Sequence, residues 1–200
     1  MNKRKLVLST ENKHKVDEIK AILRDIDIEV VSRGELDIED FHVVEDGETL
    51  EENSIKKARE LAERCDYMVI ADDTGLFVNA LNGQPGIYSS RYAGEDGNDY
   101  NNCTKLLKNL EDQKDRSAYF KTVIALITEN KKIYTLEGIC KGSIETERKG
   151  SGGFGYDPVF KPEGYDHTFA ELGESVKNKI SHRAKALIEL KESLKSILED

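Results

Sequence analysis

The sequence has no long apolar run, and this absence excludes a large class of proteins. A membrane-spanning helix needs about 18 or more consecutive apolar residues, and no such run occurs among the 200 residues. The basic start of the chain, residues 1–5, is followed by a short apolar run at residues 6–8. That run is too short for the core of a signal peptide. We therefore expect a cytoplasmic protein that has no membrane partner.

Cysteine is scarce and badly spaced for cross-linking. Cys65, Cys103 and Cys140 are odd in number, far apart, and form no C-x-x-C pair. Such a pattern fits neither a disulfide framework nor a structural zinc site. We predict three buried free thiols.

The chain also lacks an excess of positive charge. Its formal net charge is −9, whereas a nucleic-acid binder needs a dominant basic face. We expect no nucleic-acid partner. Binding of a small polyanionic ligand is still compatible with this net charge if local lysines and a divalent cation offset the electrostatic repulsion. No G-x-x-x-x-G-K-[ST] sequence occurs, so a Walker P-loop is excluded.

The hydrophobic pattern indicates an α/β fold. A β-α-β start and a long hairpin further on predict a mixed β-sheet flanked by helices. No repeat, linker or break in composition divides the chain, so we expect a single domain over residues 1–200, with two lobes around a substrate cleft. Strands are predicted at residues 6–9, 29–32, 67–71, 118–128 and 133–140, with a continuation at 77–80. Helices are predicted after residue 15, after a capping box at residues 49–52, at 100–110 and from residue 184 onward.

A glycine-rich segment at residues 150–158 has the composition of a pocket for a flat ring. Its glycines allow sharp turns and a close approach of the backbone to a ligand. Phe154, Tyr156 and Asp157 supply aromatic faces and a carboxylate that can stack on and hydrogen-bond to a heterocycle. Further along the chain, His182 and Arg183 offer donors at the start of the last predicted helix. A surface pair at a helix N-terminus is the alternative for those two.

A second candidate, residues 10–15, lies between the first strand and the first helix. Backbone amides at a helix N-terminus, together with lysines and a hydroxyl, can bind phosphate. Lysines there oppose the helix dipole, so local stability explains them poorly. A capped helix with a solvated basic first turn is the alternative. The members of this segment are Thr10, Glu11, Asn12, Lys13, His14 and Lys15.

Paired carboxylates form the third candidate. Asp72 and Asp73 follow an apolar strand, where ligands gather in open α/β sheets. Adjacent side chains on a strand diverge, so one can bind a divalent cation while the other holds a lysine or a loop amide. Mg²⁺ takes one or two carboxylates, with water and phosphate oxygens completing its shell, and Glu45 is a plausible second ligand. The sequence from Asp73 to Gly75 also matches the aspartic-protease tripeptide, but the predicted helices disfavour the nearly all-β fold that this class requires.

Taken together, these motifs resemble the inosine/xanthosine triphosphate pyrophosphatase family, which hydrolyses non-standard purine nucleotides. The resemblance runs nearly end to end. The segments that carry it are residues 9–15, 45–53, 71–76, 85–92, 152–158 and 180–183.

The resemblance implies a long central sheet with a cleft between two lobes, Mg²⁺ dependence, a homodimer, and cleavage between the α- and β-phosphates. It makes Asp73 the catalytic carboxylate and a metal ligand, and Glu45 the other ligand. Glu11 is a departure, since the family often has a small residue there, and we expect its carboxylate to turn to solvent or to Lys13. The implied substrate contacts are Thr10, Glu11, Asn12, Lys13, His14, Lys15, Lys57, Thr74, Phe154, Gly155, Tyr156, Asp157, Lys177, His182 and Arg183.

Two alternatives stay open at the level of sequence. One is a pyrophosphatase that acts on modified pyrimidine or other nucleoside triphosphates. The other is a non-catalytic nucleotide-binding protein on the same scaffold, although the intact aspartate pair and lysines argue against lost catalysis.

Overall fold

The computed structural model describes residues 3–38, 41–94 and 97–199. The strands in chain order are β1 (Arg4–Leu8), β2 (Ile28–Ser32), β3 (Met68–Val78), β4 (Pro85–Gly86), β5 (Ser117–Ile127), β6 (Ile133–Ile144) and β7 (Phe160–Pro162). The α-helices are α1 (Lys13–Leu23), α2 (Leu50–Ala62), α3 (Asp99–Asn109), α4 (Phe169–Leu172), α5 (Glu174–Ile180) and α6 (His182–Glu199). Short 3₁₀ turns lie at Arg33–Leu36, Asn79–Leu81 and Ser89–Arg91.

One mixed sheet contains all the strands, in the order β2-β1-β3-β5-β6-β7, with β4 paired to β3. The pairs β1–β2 and β1–β3 are parallel, whereas β3–β4 and β6–β7 are antiparallel. β5 and β6 are neighbours joined by a tight turn, in which the amide of Thr128 donates to the carbonyl of Lys132 at 3.0 Å. The predicted mixed α/β fold and the hairpin are therefore confirmed.

The described chain forms two compact units, and the first contains residues 3–73, 122–138 and 183–199 apart from the undescribed positions. The two faces of its sheet carry separate apolar clusters because side chains alternate along a strand. Leu6 and Leu8 of β1 pack in one cluster with residues of α1 and α6. Val7 packs in the other cluster with residues of α2.

The second unit contains residues 74–121 and 139–182 apart from the undescribed positions. Its core is a cluster of aromatic and aliphatic side chains that includes Phe120, Phe160 and Phe169. The Phe120 and Phe160 rings meet edge to face, with centroids 4.7 Å apart. The expectation of one domain over residues 1–200 stays a prediction.

β3 corrects one boundary predicted from the sequence. The strand was expected to stop at Ala71, before the two aspartates, but it runs without a break to Val78. Two charges in an apolar run suggest a strand end because buried ions are costly. Here each carboxylate meets basic partners inside its own unit, so the strand can carry both through its middle.

Two further expectations concern helix α2 and the membrane. The hydroxyl of Thr49 accepts from the amide of Glu52 at 3.1 Å, so the predicted N-cap is confirmed. The predicted reciprocal bond of the capping box was wrong by one residue. The Glu52 carboxylate accepts from the backbone amide of Glu48 rather than from that of Thr49. In the part of the chain that the structure describes, no helix has the length and hydropathy to cross a membrane.

Candidate active site

Strand alternation sends the two aspartates of β3 to opposite faces of the sheet. Met68 and Ile70 face the cluster of α1 and α6, whereas Val69 and Ala71 face the cluster of α2. With a period of two residues, Asp72 follows the first pair and Asp73 the second. The prediction that the adjacent carboxylates diverge, each to its own partners, is confirmed by the contacts below.

The Asp72 carboxylate accepts hydrogen bonds from two basic side chains of the first unit. Its Oδ2 lies 3.0 Å from Nζ of Lys15 and 3.3 Å from both Nε and Nη2 of Arg183. Burial opposes ionisation of Asp72, but the cations outweigh it and hold the pKa of this carboxyl well below its usual range. Asp72 is thus an ionised anchor for both cations.

Glu18 holds Arg183 from a second side. Its Oε2 lies 2.5 Å from Nη1 of Arg183, and both side chains are almost wholly buried. Lys15 and Glu18 are three residues apart on α1 and therefore share one helix face. The result is a buried group of two cations and two anions, built from α1, β3 and α6.

Asp73 belongs to a different cluster, centred on Lys57 of α2. The Lys57 ammonium lies 2.9 Å from Oδ1 of Asp73 and 3.1 Å from Oε1 of Glu45. The side-chain Nδ2 of Asn53, one helical turn before Lys57, donates to Oδ2 of Asp73 at 3.4 Å. The structure thus brings the two predicted metal ligands to a single cation.

The electrostatics of this cluster differ from those around Asp72. Burial raises the pKa of Asp73, and the nearby Glu45 adds to the rise, although Lys57 opposes it. Burial disfavours the charge of Lys57, yet the two carboxylates raise its pKa. Both carboxylates of this cluster therefore contact the same ammonium.

The segment that precedes α1 caps that helix. Oδ1 of Asn12 accepts from the amide of Lys15 at 3.3 Å, and Oγ1 of Thr10 accepts from the amide of Asn12 at 3.1 Å. Lys13 and His14 are exposed in the first turn. The carboxylate of Glu11 turns away from Lys13 to the guanidinium of Arg33, 2.6 Å away, a partner that the sequence did not suggest.

In the second unit, Asp157 organises the glycine-rich loop. Its Oδ2 accepts from the amide of Phe154 at 2.9 Å and from the ammonium of Lys177 at 2.6 Å. The same ammonium lies 4.1 Å from the centroid of the Phe154 ring. A Cβ at Gly153 would collide with the Asp157 carboxylate, so glycine is required where this backbone passes.

The other predicted residues of the second unit are placed as follows. His182 stacks on Phe120, with ring centroids 4.4 Å apart. Tyr156 is buried in the core, where its hydroxyl donates to the carbonyl of Ser89 at 2.8 Å. Thr74 is half-buried and follows Asp73 directly on β3. Gly155 lies beside the N-terminus of α3, where its amide donates to Asp99.

Sequence reasoning missed Glu18 and Asn53, although it expected one of the two aspartates to hold a lysine, as Asp72 holds Lys15. A usable signal existed for both missed residues. Glu18 follows Lys15 by three residues and Asn53 precedes Lys57 by four, the spacings that place side chains on one helix face. No pattern in the sequence pairs Glu18 with Arg183, because those residues are 165 positions apart.

These contacts define a mixed α/β protein with two carboxylate–lysine clusters in one unit and a glycine-rich loop built on an aspartate–lysine pair in the other. The chain belongs to the Ham1 family, whose model matches residues 6–193. The family resemblance inferred from the motifs is thereby confirmed.

Relatives and solved structures match nearly the whole chain. It is 48% identical over 203 residues to a Clostridium perfringens protein named dITP/XTP pyrophosphatase, with 98% of this chain and 99% of that protein covered. The structure of the Staphylococcus aureus Ham1 protein has a TM-score of 0.87 and 41% identity, and covers 96% of this chain and 99% of its own. The nucleoside-triphosphatase or dITP/XTP pyrophosphatase of Mycobacterium abscessus has a TM-score of 0.75 and 38% identity, and covers 93% of this chain and 98% of its own.

Proposed function

We propose that this chain is a hydrolase that converts dITP and XTP to their monophosphates and pyrophosphate, which removes these non-standard nucleotides from the nucleotide pool. The observation that carries the proposal is the group formed by Glu45, Lys57 and Asp73, in which two carboxylates face one cation. Relatives at 47% and 48% identity that bear the name dITP/XTP pyrophosphatase support it.

The donor set of Glu45 and Asp73 suits Mg²⁺. One ammonium lies at hydrogen-bond distance from an oxygen of each, so the two carboxylates can share a single cation. Mg²⁺ typically binds one or two carboxylates and completes its shell with water and substrate phosphates. Held by these two residues, it would neutralise charge on the phosphate oxygens during the reaction.

Asp73 is the catalytic carboxylate in this proposal. Contacts with the ammonium of Lys57 and the side-chain amide of Asn53 fix the orientation of its carboxylate. It orients the attacking water and takes its proton while the water oxygen bonds to the α-phosphorus. The bond between that phosphorus and the bridging oxygen breaks, and pyrophosphate leaves.

The first unit supplies the groups for the triphosphate. Lys57 neutralises charge next to Asp73, and Lys15 is held in place by Asp72. The N-terminus of α1 adds backbone amides and the exposed Lys13 and His14. The proposed contacts of the triphosphate are Thr10, Glu11, Asn12, Lys13, His14, Lys15 and Lys57, with Thr74 next to the catalytic carboxylate.

The glycine-rich loop supplies most of the proposed groups for the purine. Phe154 stacks on the ring, and Asp157 and Lys177 offer an acceptor and a donor beside it. The 6-keto oxygen of hypoxanthine and xanthine can accept a hydrogen bond from a donor of His182 or Arg183, whereas the 6-amino group of adenine cannot. A buried donor that loses such a partner costs about 1–3 kcal/mol. Gly155 and the backbone of Tyr156, whose side chain is buried in the core, complete the proposed loop contacts.

The family resemblance also supports three further proposals. We propose a homodimer of the 22.6 kDa chain, a cytoplasmic location, and one functional domain over residues 1–200.

The first test replaces the catalytic carboxylate. Asp73→Asn should lower pyrophosphate release from dITP by at least about a hundredfold, the usual scale for a general base, while leaving the circular dichroism spectrum unchanged. The exposed Asp66→Asn, close before β3, removes the same charge and should keep wild-type turnover. A panel of dITP, XTP, dUTP, dTTP and dATP is run with each protein.

Two results would overturn the proposal. If Asp73→Asn keeps wild-type turnover, the catalytic assignment is wrong. If dUTP or dTTP is hydrolysed faster than dITP and XTP, the substrate class is wrong.

A further inference from the structure

Residues of helix α3 form hydrogen bonds with both the backbone amide and the backbone carbonyl of Gly155. The Gly155 amide donates to Oδ2 of Asp99 at 2.6 Å. The Gly155 carbonyl accepts from the thiol of Cys103, one turn further along α3, at 3.4 Å. Gly155 is therefore fixed from two sides by a helix that contributes no residue to the proposed purine contacts.

The preceding strand-to-loop segment is tied to the same helix. Nη2 of Arg148 donates to the carbonyl of Tyr100 at 2.8 Å and to Oγ1 of Thr104 at 2.6 Å. Its guanidinium also lies 4.2 Å from the centroid of the Tyr100 ring. The glycine-rich loop thus begins and ends against the first two turns of α3.

The position of Gly155 decides where the Phe154 ring stands. Gly155 has φ +62°, a left-handed conformation that glycine adopts without strain. Because glycine has no side chain, side-chain packing cannot hold the backbone in place at this position. Phe154 precedes it directly, and the amide of Phe154 is held by Asp157. The peptide group between Phe154 and Gly155 carries the N–H that donates a hydrogen bond to Asp99.

Asp99 is well suited to hold an amide. It is the acidic residue of the first turn of α3, where the helix dipole favours a negative charge. Hydrogen bonds from a neutral N–H to a carboxylate are stronger than those between neutral groups. A charged acceptor at the start of a packed helix therefore gives the loop a rigid reference point.

We propose that Asp99 is a positioning residue for purine binding: by holding the Gly155 amide, it fixes the Phe154 ring in the orientation that stacks on the base. This inference rests on the proposed function, because it assumes that the loop binds a purine. Loss of the carboxylate removes the partner of the Gly155 amide, while the Phe154 carbonyl still accepts from the amide of Asp157 at 3.2 Å and the loop stays attached through Arg148 and Cys103. The Phe154–Gly155 peptide is then held from one side only, and the Phe154 ring is less well oriented. Ligands that carry a base should then bind more weakly, and ligands that carry only phosphate should not.

The test compares two probes on the same proteins by isothermal titration calorimetry. Deoxyinosine monophosphate reports on the base, and inorganic tripolyphosphate with Mg²⁺ reports on the phosphate groups alone. We expect Asp99→Ala to weaken deoxyinosine monophosphate about tenfold, in the range of a lost hydrogen bond to a charged group, and to leave tripolyphosphate within twofold. Asp99→Asn keeps an acceptor oxygen and should recover most of the loss. The exposed Asp112→Ala, beyond the end of α3, removes one negative charge as a matched control.

The outcomes separate this inference from the proposed function. If the wild-type protein binds neither probe, the proposed function fails. If the wild type binds both and Asp99→Ala weakens both equally or neither, the positioning role is wrong. A loss for deoxyinosine monophosphate that Asp112→Ala reproduces is an effect of net charge and also overturns it. The melting temperature of each variant is measured alongside. If Asp99→Ala does not fold, Asp99→Leu, which also lacks an acceptor, replaces it and should show the same selective loss for deoxyinosine monophosphate; equal binding of both probes by Asp99→Leu and wild type would overturn the positioning role.

Discussion

At the scale of single residues, the buried charges of the first unit are balanced differently in its two clusters. Asp72 and Glu18 contact two basic side chains, Lys15 and Arg183, whereas Glu45 and Asp73 both contact the ammonium of Lys57. The first set of contacts is suited to hold the geometry of Lys15 and Arg183. Two carboxylates that meet at one cation are suited to share a divalent ion, and we therefore propose the metal at the second cluster.

Replacing Lys57 with methionine tests this assignment through stability. Lys57→Met keeps the bulk of the side chain but leaves two partly buried carboxylates without their cation, which should cost about 3 kcal/mol. Added Mg²⁺ should restore part of that loss, since it can take the place of the ammonium. Urea denaturation with Mg²⁺ or with a chelator measures both effects.

The neighbouring lysine is the control for this variant. Lys56 pairs with Asp46 at 2.6 Å on the surface, where Asp46 is 67% exposed. Lys56→Met should therefore destabilise the protein much less than Lys57→Met and should not respond to Mg²⁺. If Mg²⁺ stabilises both variants equally, the ion does not bind between Glu45 and Asp73.

The features that could be predicted from the sequence depend on neighbouring residues, whereas those that could not depend on contacts between segments far apart in the chain. The divergence of Asp72 and Asp73 follows from strand geometry alone, and it was predicted. The bond of Glu11 to Arg33 and that of Glu18 to Arg183 depend on how distant segments pack, which no local pattern encodes. The same limit applies to Asp99 and its contact with Gly155.

At the scale of secondary-structure elements, most of the fold followed from periodicity and capping. The first helix, the hairpin and the last helix were predicted because apolar residues recur with the period of each element. The extension of β3 to Val78 was missed because the compensating charges lie on α1, α2 and α6.

The 3₁₀ turn at Arg33–Leu36 offers a pH test at this scale. Glu35 accepts from the amide of Ser32 at 2.7 Å and from Lys20 and the Ser32 hydroxyl, and these bonds lower its pKa from 4.5 to about 2. A lowered pKa in the folded state stabilises the protein above pH 4.5 and loses that effect as the pH falls to about 2. Because Glu35 is half exposed, Glu35→Gln should cost less than about 1 kcal/mol at pH 7.

The measurement is the free energy of unfolding in urea at pH 7, 4.5 and 3. The difference between wild type and Glu35→Gln should be largest at pH 7 and should shrink at pH 3. Glu29→Gln, an exposed change on β2, controls for the lost charge. A difference that grows as the pH falls would show that the Glu35 carboxylate does not stabilise the turn.

At the scale of the whole molecule, a net charge of −9 opposes the approach of a triphosphate, so local cations must compensate for the global field. In the described ranges 3–38, 41–94 and 97–199, no group of three or more His, Cys, Asp or Glu side chains could hold a metal ion by itself. The proposed site offers two carboxylates, Glu45 and Asp73, and Lys57 contacts both. We infer that Mg²⁺ binds tightly only together with a polyphosphate, whose oxygens complete its shell.

This inference predicts a specific pattern of thermal stabilisation in the wild-type protein. Mg²⁺ alone should shift the melting temperature by less than about 1 °C, because the binding that raises stability is weak. Tripolyphosphate and Mg²⁺ together, at about a hundred times their apparent Kd, should add about 2.7 kcal/mol, or roughly 5 to 10 °C for a chain of this size. Tripolyphosphate with a chelator should give a much smaller shift. A large shift with Mg²⁺ alone would mean that the chain holds a complete metal site, and equal shifts with Mg²⁺ and with the chelator would mean that its lysines bind the polyphosphate without an ion.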